Sequence, residues 1–322
     1  MTRSPLALLD GRFIPAGELL IPAYDAGFIL GATVSEQLRT FGGKLYRLDE
    51  HLARLWRGVE ITSITLGCTP EQLAAWADEL VAENHRLLDP ADDLGLSIFV
   101  TPGPYGTMAP PGTLFEPTIG MSTYPLPFHL WADRYETGER LAVSDVRQVS
   151  AESWPRELKC RSRMHYYLAE RDVRKRVPGA RPLLLDERGN VNETPTANIV
   201  GYRGPQAPGQ SHGGLVTPQE FAALPGISLA ALKELALSPL GGAIGCLGAD
   251  FSPAEFIAFV DELWITSTPF SMLPVVQLDD ALIGDGRPGP MFRKLLDAWS
   301  ASVGVDIPAQ ARQFARRTDL QA

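Results

Sequence analysis

Lysine is scarce in this chain: 322 residues hold only five, at positions 44, 159, 175, 233 and 294. Cysteine is scarcer still. Cys68, Cys160 and Cys246 are odd in number and widely spaced, with no CxxC pair, so neither a disulfide framework nor a zinc knuckle is supported. Basic residues as a whole fall short, with 29 Lys and Arg against 38 Asp and Glu and a formal charge of −9. That balance lacks the electropositive footprint of a nucleic-acid binder. No apolar run reaches the ~18 residues of a membrane helix, and the stretch Met1 to Asp10 has one Arg and no small-residue cleavage site. The expected setting is cytoplasmic, with reduced thiols and with neither membrane nor nucleic acid as partner. A P-loop, a GxGxxG and an HExxH are also missing, which leaves no motif for nucleoside-triphosphate chemistry or for a bound metal.

With 45% hydrophobic and 21% charged residues the chain can build a substantial core, and its length suits two domains. Residues 1–124 read as a smaller α+β domain. Phe13-Ile14, Leu19 to Ile21 and Val34 to Phe41 are strand-like runs set apart by turns, and the last returns through Gly42-Gly43 at Lys44 to Leu48 as a hairpin. Asp49 is placed to N-cap a helix carrying His51, Leu52, Leu55 and Val59 at near-helical spacing, and Pro70 opens a second helix to about Leu88. Strands are expected at Leu94 to Val100 and Thr118 to Thr123. The prolines of Pro125-Leu-Pro127 mark a stiff connector over residues 125–136, and a larger domain follows at 137–322. There the pattern predicts strands at Arg140 to Val146, Arg181 to Asp186, Ala197 to Tyr202 and Glu262 to Thr266, with helices at Ser162 to Lys175 and after Pro225, Pro253 and Pro290. This order lacks the regular βα alternation of a doubly wound sheet.

Two motif matches lead nowhere. Gly209-Gln-Ser211-His-Gly213 fits the GxSxG of serine hydrolases, but Pro and Gly on both sides allow neither the strand before it nor the helix after it, so a loop is expected. Asn192-Glu-Thr194 is formally a glycosylation sequon, without a secretory signal to give it weight. Lys159 is more telling. The other lysines sit in ordinary solvated settings, whereas Lys159 ends Trp154-Pro-Arg-Glu-Leu158 and directly precedes a helix, where its amine can project into a cleft and lose basicity beside Arg161 and Arg163. A Schiff-base amine and a surface lysine both fit those residues. Further along, a Gly189-Asn190 turn presents Glu193 before the strand that contains Asn198. Leu224-Pro-Gly-Ile-Ser228 opens a helix whose amides at Ile227 and Ser228 suit a phosphate. Thr266-Ser-Thr268 ends a strand with hydroxyls, and His51-Leu-Ala-Arg54 lies on the first long helix, where His51 is expected to pack.

In this order and spacing, these segments resemble the class IV aminotransferases, the fold-type IV pyridoxal-phosphate (PLP) enzymes that include branched-chain and D-amino-acid aminotransferases and aminodeoxychorismate lyase. The resemblance spans nearly the whole chain. Val34-Ser-Glu-Gln-Leu-Arg-Thr-Phe41 and Gly43-Lys-Leu-Tyr-Arg-Leu-Asp-Glu-His-Leu-Ala-Arg54-Leu carry its N-terminal part; Lys159, the Glu193 to Asn198 segment, Leu224-Pro-Gly-Ile227, Ser267-Thr268 and Leu273-Pro-Val275 carry the rest. It implies a two-domain α+β fold, a small N-terminal α/β domain and a larger C-terminal one with PLP in the cleft between them. It also implies a homodimer that moves an amino group from an amino acid to a 2-oxoacid. By the same resemblance, Lys159 holds PLP as an internal aldimine and shuttles the proton between Cα and the cofactor, while Glu193 keeps the pyridine nitrogen protonated. Arg54, the Ile227 and Ser228 amides and Thr268 anchor the phosphate. Arg39, Tyr105 and Arg161 are candidates for the substrate carboxylate.

Branched-chain members place a tyrosine five residues after the lysine. This chain has Met164 there, and Arg163 before it is closer to the lyase and D-amino-acid branches. Tyr166 and Tyr167 are able to approach the ring, though their helical spacing also fits core or groove residues. Two other readings share the motifs: a PLP-dependent lyase of the aminodeoxychorismate type, since the same lysine and electron sink drive β-elimination, and a PLP-fold protein that binds without turnover.

Overall fold

Alternating and helix-periodic stretches sort into two units in the computed structural model, which describes residues 4–206, 213–219, 222–239 and 244–317. Gly209 to His212 of the hydrolase-like match lie outside the described residues. One unit ends at Leu126 and takes in Glu157–Arg163; the other runs Pro127–Arg156 and resumes at Met164. Lys159 therefore belongs by its packing to the first unit, although in sequence it lies within the stretch assigned to the larger domain.

The first unit contains β1 (Leu6–Leu9), β2 (Arg12–Pro15), α1 (Ala26–Ile29), β3 (Val34–Phe41), β4 (Lys44–Leu45), α2 (Leu48–Ile61), α3 (Pro70–His85), β5 (Leu94–Thr101) and β6 (Thr118–Pro125). Its sheet is antiparallel in the order β2-β1-β6-β5-β3-β4. Alternation puts Val34 and Leu38 of β3 on one face with Leu96, Ile98 and Met121, and the apolar stripes of α2 and α3 cover that face to make the core. Helix α2 begins at Leu48 rather than after Asp49. Arg47 takes the N-cap position with a left-handed φ of 53°, and Asp49 falls inside the first turn, where its charge still suits the helix dipole. A reciprocal cap between Thr69 and Gln72 fixes the start of α3 at Pro70.

On the other face of β3, the hairpin end is built around a buried charge pair. Asp93 accepts hydrogen bonds from the Thr40 hydroxyl and from the Gly42 and Gly43 amides at 3.3 and 3.0 Å, and both glycines hold the positive φ this tight turn needs. Arg39 lies 3.8 Å from Asp93, donates to the Thr40 carbonyl at 3.0 Å and stacks its guanidinium 3.9 Å above the Phe41 ring. Arg39 is fully shielded from solvent. Its guanidinium is thus held by the hairpin through Asp93, the Thr40 carbonyl and the Phe41 ring.

The second unit contains α4 (Arg134–Thr137), β7 (Glu139–Val143), α5 (Met164–Arg176), β8 (Arg181–Leu185), β9 (Val191–Thr194), β10 (Ala197–Arg203), β11 (Gly214–Thr217), α6 (Ile227–Leu237), β12 (Gly245–Gly248), α7 (Pro253–Phe259), β13 (Glu262–Ser267), β14 (Ser271–Leu278), β15 (Ala281–Leu282), α8 (Pro290–Val303) and α9 (Ile307–Phe314). The strand order β12-β11-β10-β13-β14-β7-β8-β9 is closed by β9 pairing back onto β10, so six strands form a ring. The terminal helix expected after Pro290 is two helices. Gly304, at a φ of 69°, ends α8, and the Asp306 side chain caps α9. Among the described residues no helix is long and apolar enough to cross a membrane.

Asp93→Ala removes the carboxylate that faces the buried Arg39 and leaves two amides and a hydroxyl without their acceptor. It should cost about 3–5 kcal/mol of unfolding free energy, read from the urea midpoint. A loss below ~1 kcal/mol would show that Asp93 does not neutralise Arg39.

Candidate active site

The lysine segment is extended and pairs with the start of β3. Ser35 N donates to the Lys159 carbonyl at 2.9 Å, Arg161 N donates to the Thr33 carbonyl at 3.1 Å, and Val34 and Cys160 pair as an antiparallel bridge. Helix α5 begins only at Met164, two residues later than expected, and Ser162 Oγ instead donates to the Gly31 carbonyl at 2.8 Å. Extended geometry sends Leu158 and Cys160 to one side and Lys159 and Arg161 to the other. Leu158 packs against the core of the unit, and Arg161 Nη2 reaches Ser97 Oγ on β5 at 2.7 Å. Ser97 also accepts from Gln37 Nε2 at 3.1 Å, and the Tyr124 hydroxyl donates to Gln37 Oε1 at 2.8 Å, so a polar chain crosses three strands beside the lysine segment. Burial pushes the Tyr124 phenol up to about 12, with the charges of Arg161 and Arg39 opposing, and it remains a donor at neutral pH.

Beneath β3, on its core side, Glu36 is fully buried. Its Oε1 accepts from Arg54 Nε at 2.7 Å and its Oε2 from Arg54 Nη2 at 2.8 Å, while His51 Nδ1 lies 2.8 Å from Oε2. His51 and Arg54 are three apart on α2 and so share a side of the helix. Burial drives the Glu36 carboxyl upward, but the charge of Arg54, its hydrogen bonds and that of His51 bring it down to about 2. Burial lowers the His51 imidazole, the hydrogen bond and charge of Glu36 oppose this, and the charges of Arg54 and Lys159 add to the lowering. His51 is therefore neutral at pH 7 and gives its Nδ1 proton to Glu36, while its buried Nε2 has no partner. The lysine, the arginine and the histidine that the sequence singled out thus share one neighbourhood in this unit. The sequence reading assigned Glu36 no role. The signal was there: it shares the phase of Val34 and Leu38, a charge on the apolar face of a strand.

In the second unit, strand register assembles the other residues. Glu193 on β9 stands opposite Asn198 on β10, which stands opposite Thr266 on β13. Glu193 is buried; its Oε1 accepts from the Tyr166 hydroxyl at 2.6 Å and from Gln148 Nε2, and its Oε2 from Leu224 N at 3.4 Å. Asn198 Nδ2 donates to the Leu224 carbonyl at 2.9 Å and so ties the entry of α6 to the same strands. Helix α6 starts at Ile227 with Gly226 as its N-cap and no side-chain cap, and Ser228 in its first turn is buried. The Thr266 hydroxyl is buried without a partner, Ser267 Oγ donates to the Thr196 carbonyl at 2.6 Å, and half-buried Thr268 follows in the turn to β14. Such a set can hold a cationic ring nitrogen at the carboxylate and an anionic group at the helix start.

Of the two tyrosines on α5, Tyr166 turns onto Glu193 while Tyr167 is 54% exposed, as is Met164 at 67%. Gln148 gave no signal in the sequence. Tyr105 lies on the loop after β5, where its amide donates to the Tyr24 carbonyl at 2.7 Å.

A family model described as amino-transferase class IV matches residues 33–278. The D-alanine aminotransferase of Bacillus licheniformis is 26% identical over 298 residues, which cover 92% of this chain and 96% of that protein. Among solved structures, the Escherichia coli branched-chain amino acid aminotransferase aligns over 96% of both chains with a TM-score of 0.81 at 19% identity. The T.th. branched-chain amino acid aminotransferase with pyridoxamine 5′-phosphate aligns over 96% of this chain and 97% of that one, with a TM-score of 0.78 at 21% identity. These structures share the fold.

A Cβ placed on Gly226 would lie 1.9 Å from Asn198 Oδ1. Gly226→Ala should therefore push the start of α6 away from Asn198 and cost about 1–3 kcal/mol, visible as a fall in Tm of the cofactor-free protein. An unchanged Tm would mean that the helix entry is not pinned as described.

Proposed function

The chain belongs to the class IV aminotransferases, and from that premise we propose that Lys159, Glu193, Arg54 and the start of α6 carry its chemistry. The enzyme is PLP-dependent and transfers an amino group from an amino acid to a 2-oxoacid. When bound, PLP supplies the electron sink that lets the Cα–H bond of the amino acid break. The second unit fits such a group: a buried carboxylate suits a protonated pyridine nitrogen, and an uncapped helix N-terminus with a partnerless buried hydroxyl at Thr266 suits a phosphate.

The observation that carries the assignment is the fixing of Glu193. With Tyr166 and Gln148 on one oxygen and the Leu224 amide near the other, the carboxylate is oriented before any ligand arrives, which is the condition for electrostatic stabilisation without reorganisation. Lys159 holds the cofactor by its amine and moves the proton to and from Cα. Its backbone is anchored to β3, so the four-carbon side chain is the moving part. Arg54, the Ile227 and Ser228 amides and Thr268 hold the phosphate. Arg161 takes the substrate carboxylate, because the residue is exposed and its guanidinium is already oriented by Ser97; Tyr105 is the second candidate.

We further propose a homodimer. In the first unit, the backbone ties the loop before β3 to the loop after β5, through Ala26 N to Gly103 O at 2.8 Å and Tyr105 N to Tyr24 O. The two loops and their extensions expose Leu20, Phe28, Leu30, Met108, Leu114 and Phe115 at 58% or more. Apolar surface of that kind marks an interaction site, and a second copy of the chain is the partner that fits the family reading. Three free cysteines suit the reducing cytoplasm.

Borohydride treatment of the holoenzyme should fix the cofactor to Lys159, with mass spectrometry finding the adduct on that peptide; an adduct on any other lysine, or none, removes Lys159 from the site. Glu193→Gln should keep PLP but lose turnover. A neutral amide at a developing charge costs about 2–4 kcal/mol in the barrier, hence ~30- to ~1,000-fold in kcat, and a near-normal kcat would take Glu193 out of the chemistry.

A further inference from the structure

Glu36 is the one buried carboxylate in the neighbourhood of Lys159 that the chemistry above leaves without work. An ionised carboxylate on the core face of a strand is costly unless it is fully paired. Here the pairing is complete: Arg54 grips both oxygens with Nε and Nη2, and His51 adds its Nδ1 proton to Oε2. We propose that Glu36, backed by His51, is the positioning residue for Arg54, fixing the plane of the guanidinium and so the direction in which it meets the phosphate of the cofactor. This rests on the reading that Arg54 binds that phosphate.

Arginine has a long, flexible stem, and a two-point grip by a carboxylate removes most of its freedom. The grip itself is rigid, since Glu36 is fully buried and its carboxyl stays ionised throughout the neutral range. The adjacent residue on β3, Ser35, holds the Lys159 backbone. Two consecutive residues of one strand therefore index the lysine segment and the arginine, so a shift of β3 would carry both together. His51 contributes a donor without a charge, so the cluster stays at one cation to one anion. A lysine at position 54 has no planar fork and could not be held by both oxygens.

The test is a double-mutant cycle on cofactor affinity. Cofactor-free wild type, Glu36→Gln, Arg54→Ala and the double variant are titrated with PLP by absorbance, and the 31P resonance of the bound cofactor is recorded for each. Glu36→Gln should raise the PLP dissociation constant roughly 10- to 100-fold and shift the 31P resonance, yet change neither once Arg54 is alanine. Arg54→Lys should behave like Arg54→Ala. If Glu36→Gln does not fold, Glu36→Asp keeps the charge but shortens the reach, and it should show a smaller rise that also vanishes in the Arg54→Ala background. An equal effect of the Glu36 variant in both backgrounds, or none in a folded protein whose Arg54→Ala variant does lose affinity, overturns the positioning role alone. If Arg54→Ala itself leaves PLP affinity unchanged, the phosphate reading fails and the positioning role falls with it.

Discussion

The second unit depends on the pairing of β9 back onto β10. That pairing closes the ring of strands, and it also sets Glu193, Asn198 and Thr266 abreast on three neighbouring strands. The link between β9 and β10 is only Pro195-Thr196, since Thr194 already opposes Ala197. Thr196 has a φ of 67°, a left-handed conformation that a β-branched residue adopts at a cost of order 1–2 kcal/mol. Its carbonyl is held by the Ser267 hydroxyl from β13. A tight, strained turn is what brings the carboxylate and the asparagine into register, and the asparagine in turn holds the entry of α6 through the Leu224 carbonyl.

In the first unit β3 plays the corresponding part. Its edge pairs with the lysine segment, one face carries Glu36 with Arg54 and His51, and the other carries Gln37, which joins Ser97, Tyr124 and Arg161. The far end of the strand is locked by Asp93 and Arg39 around the Gly42-Gly43 turn. Backbone pairing thus supports these side chains, and each buried ion pair balances a charge that would be costly to bury alone.

Local signals made most elements legible. Pro70, Pro253 and Pro290 open helices where they stand, and the apolar runs of Leu94 to Val100 and Ala197 to Tyr202 mark strands. Signals that depend on partners were not legible. Asp49 looked like a cap, but the cap position is filled by Arg47 in a conformation no composition rule announces. The helix after the lysine segment looked as if it began at Ser162, whereas the segment pairs with β3 and stays extended, so that α5 begins at Met164. The pairing of Arg39 with Asp93 was not legible because the two are 54 positions apart in sequence, and Gln148 had no pattern at all around it. The strand placement of Glu193 was legible because a turn and an apolar strand bracket it, whereas its hydrogen bonds to Tyr166 and Gln148 were not.

Net charge and local charge point in opposite directions here. The chain carries −9 overall, yet the short segment Glu157–Arg163 brings Lys159, Arg161 and Arg163 together in the unit that also holds Arg54. Arg54 is matched by Glu36, but Arg161 is bound to a serine hydroxyl and Arg163 to the Cys160 carbonyl, and neither makes an ion pair among the described residues. Neutral acceptors orient a guanidinium without cancelling its charge. Under the reading that Arg161 takes the substrate carboxylate, the balancing negative charge is the one an amino acid or a 2-oxoacid brings, and an internal Asp or Glu in this segment would stabilise the unliganded protein at the expense of substrate affinity.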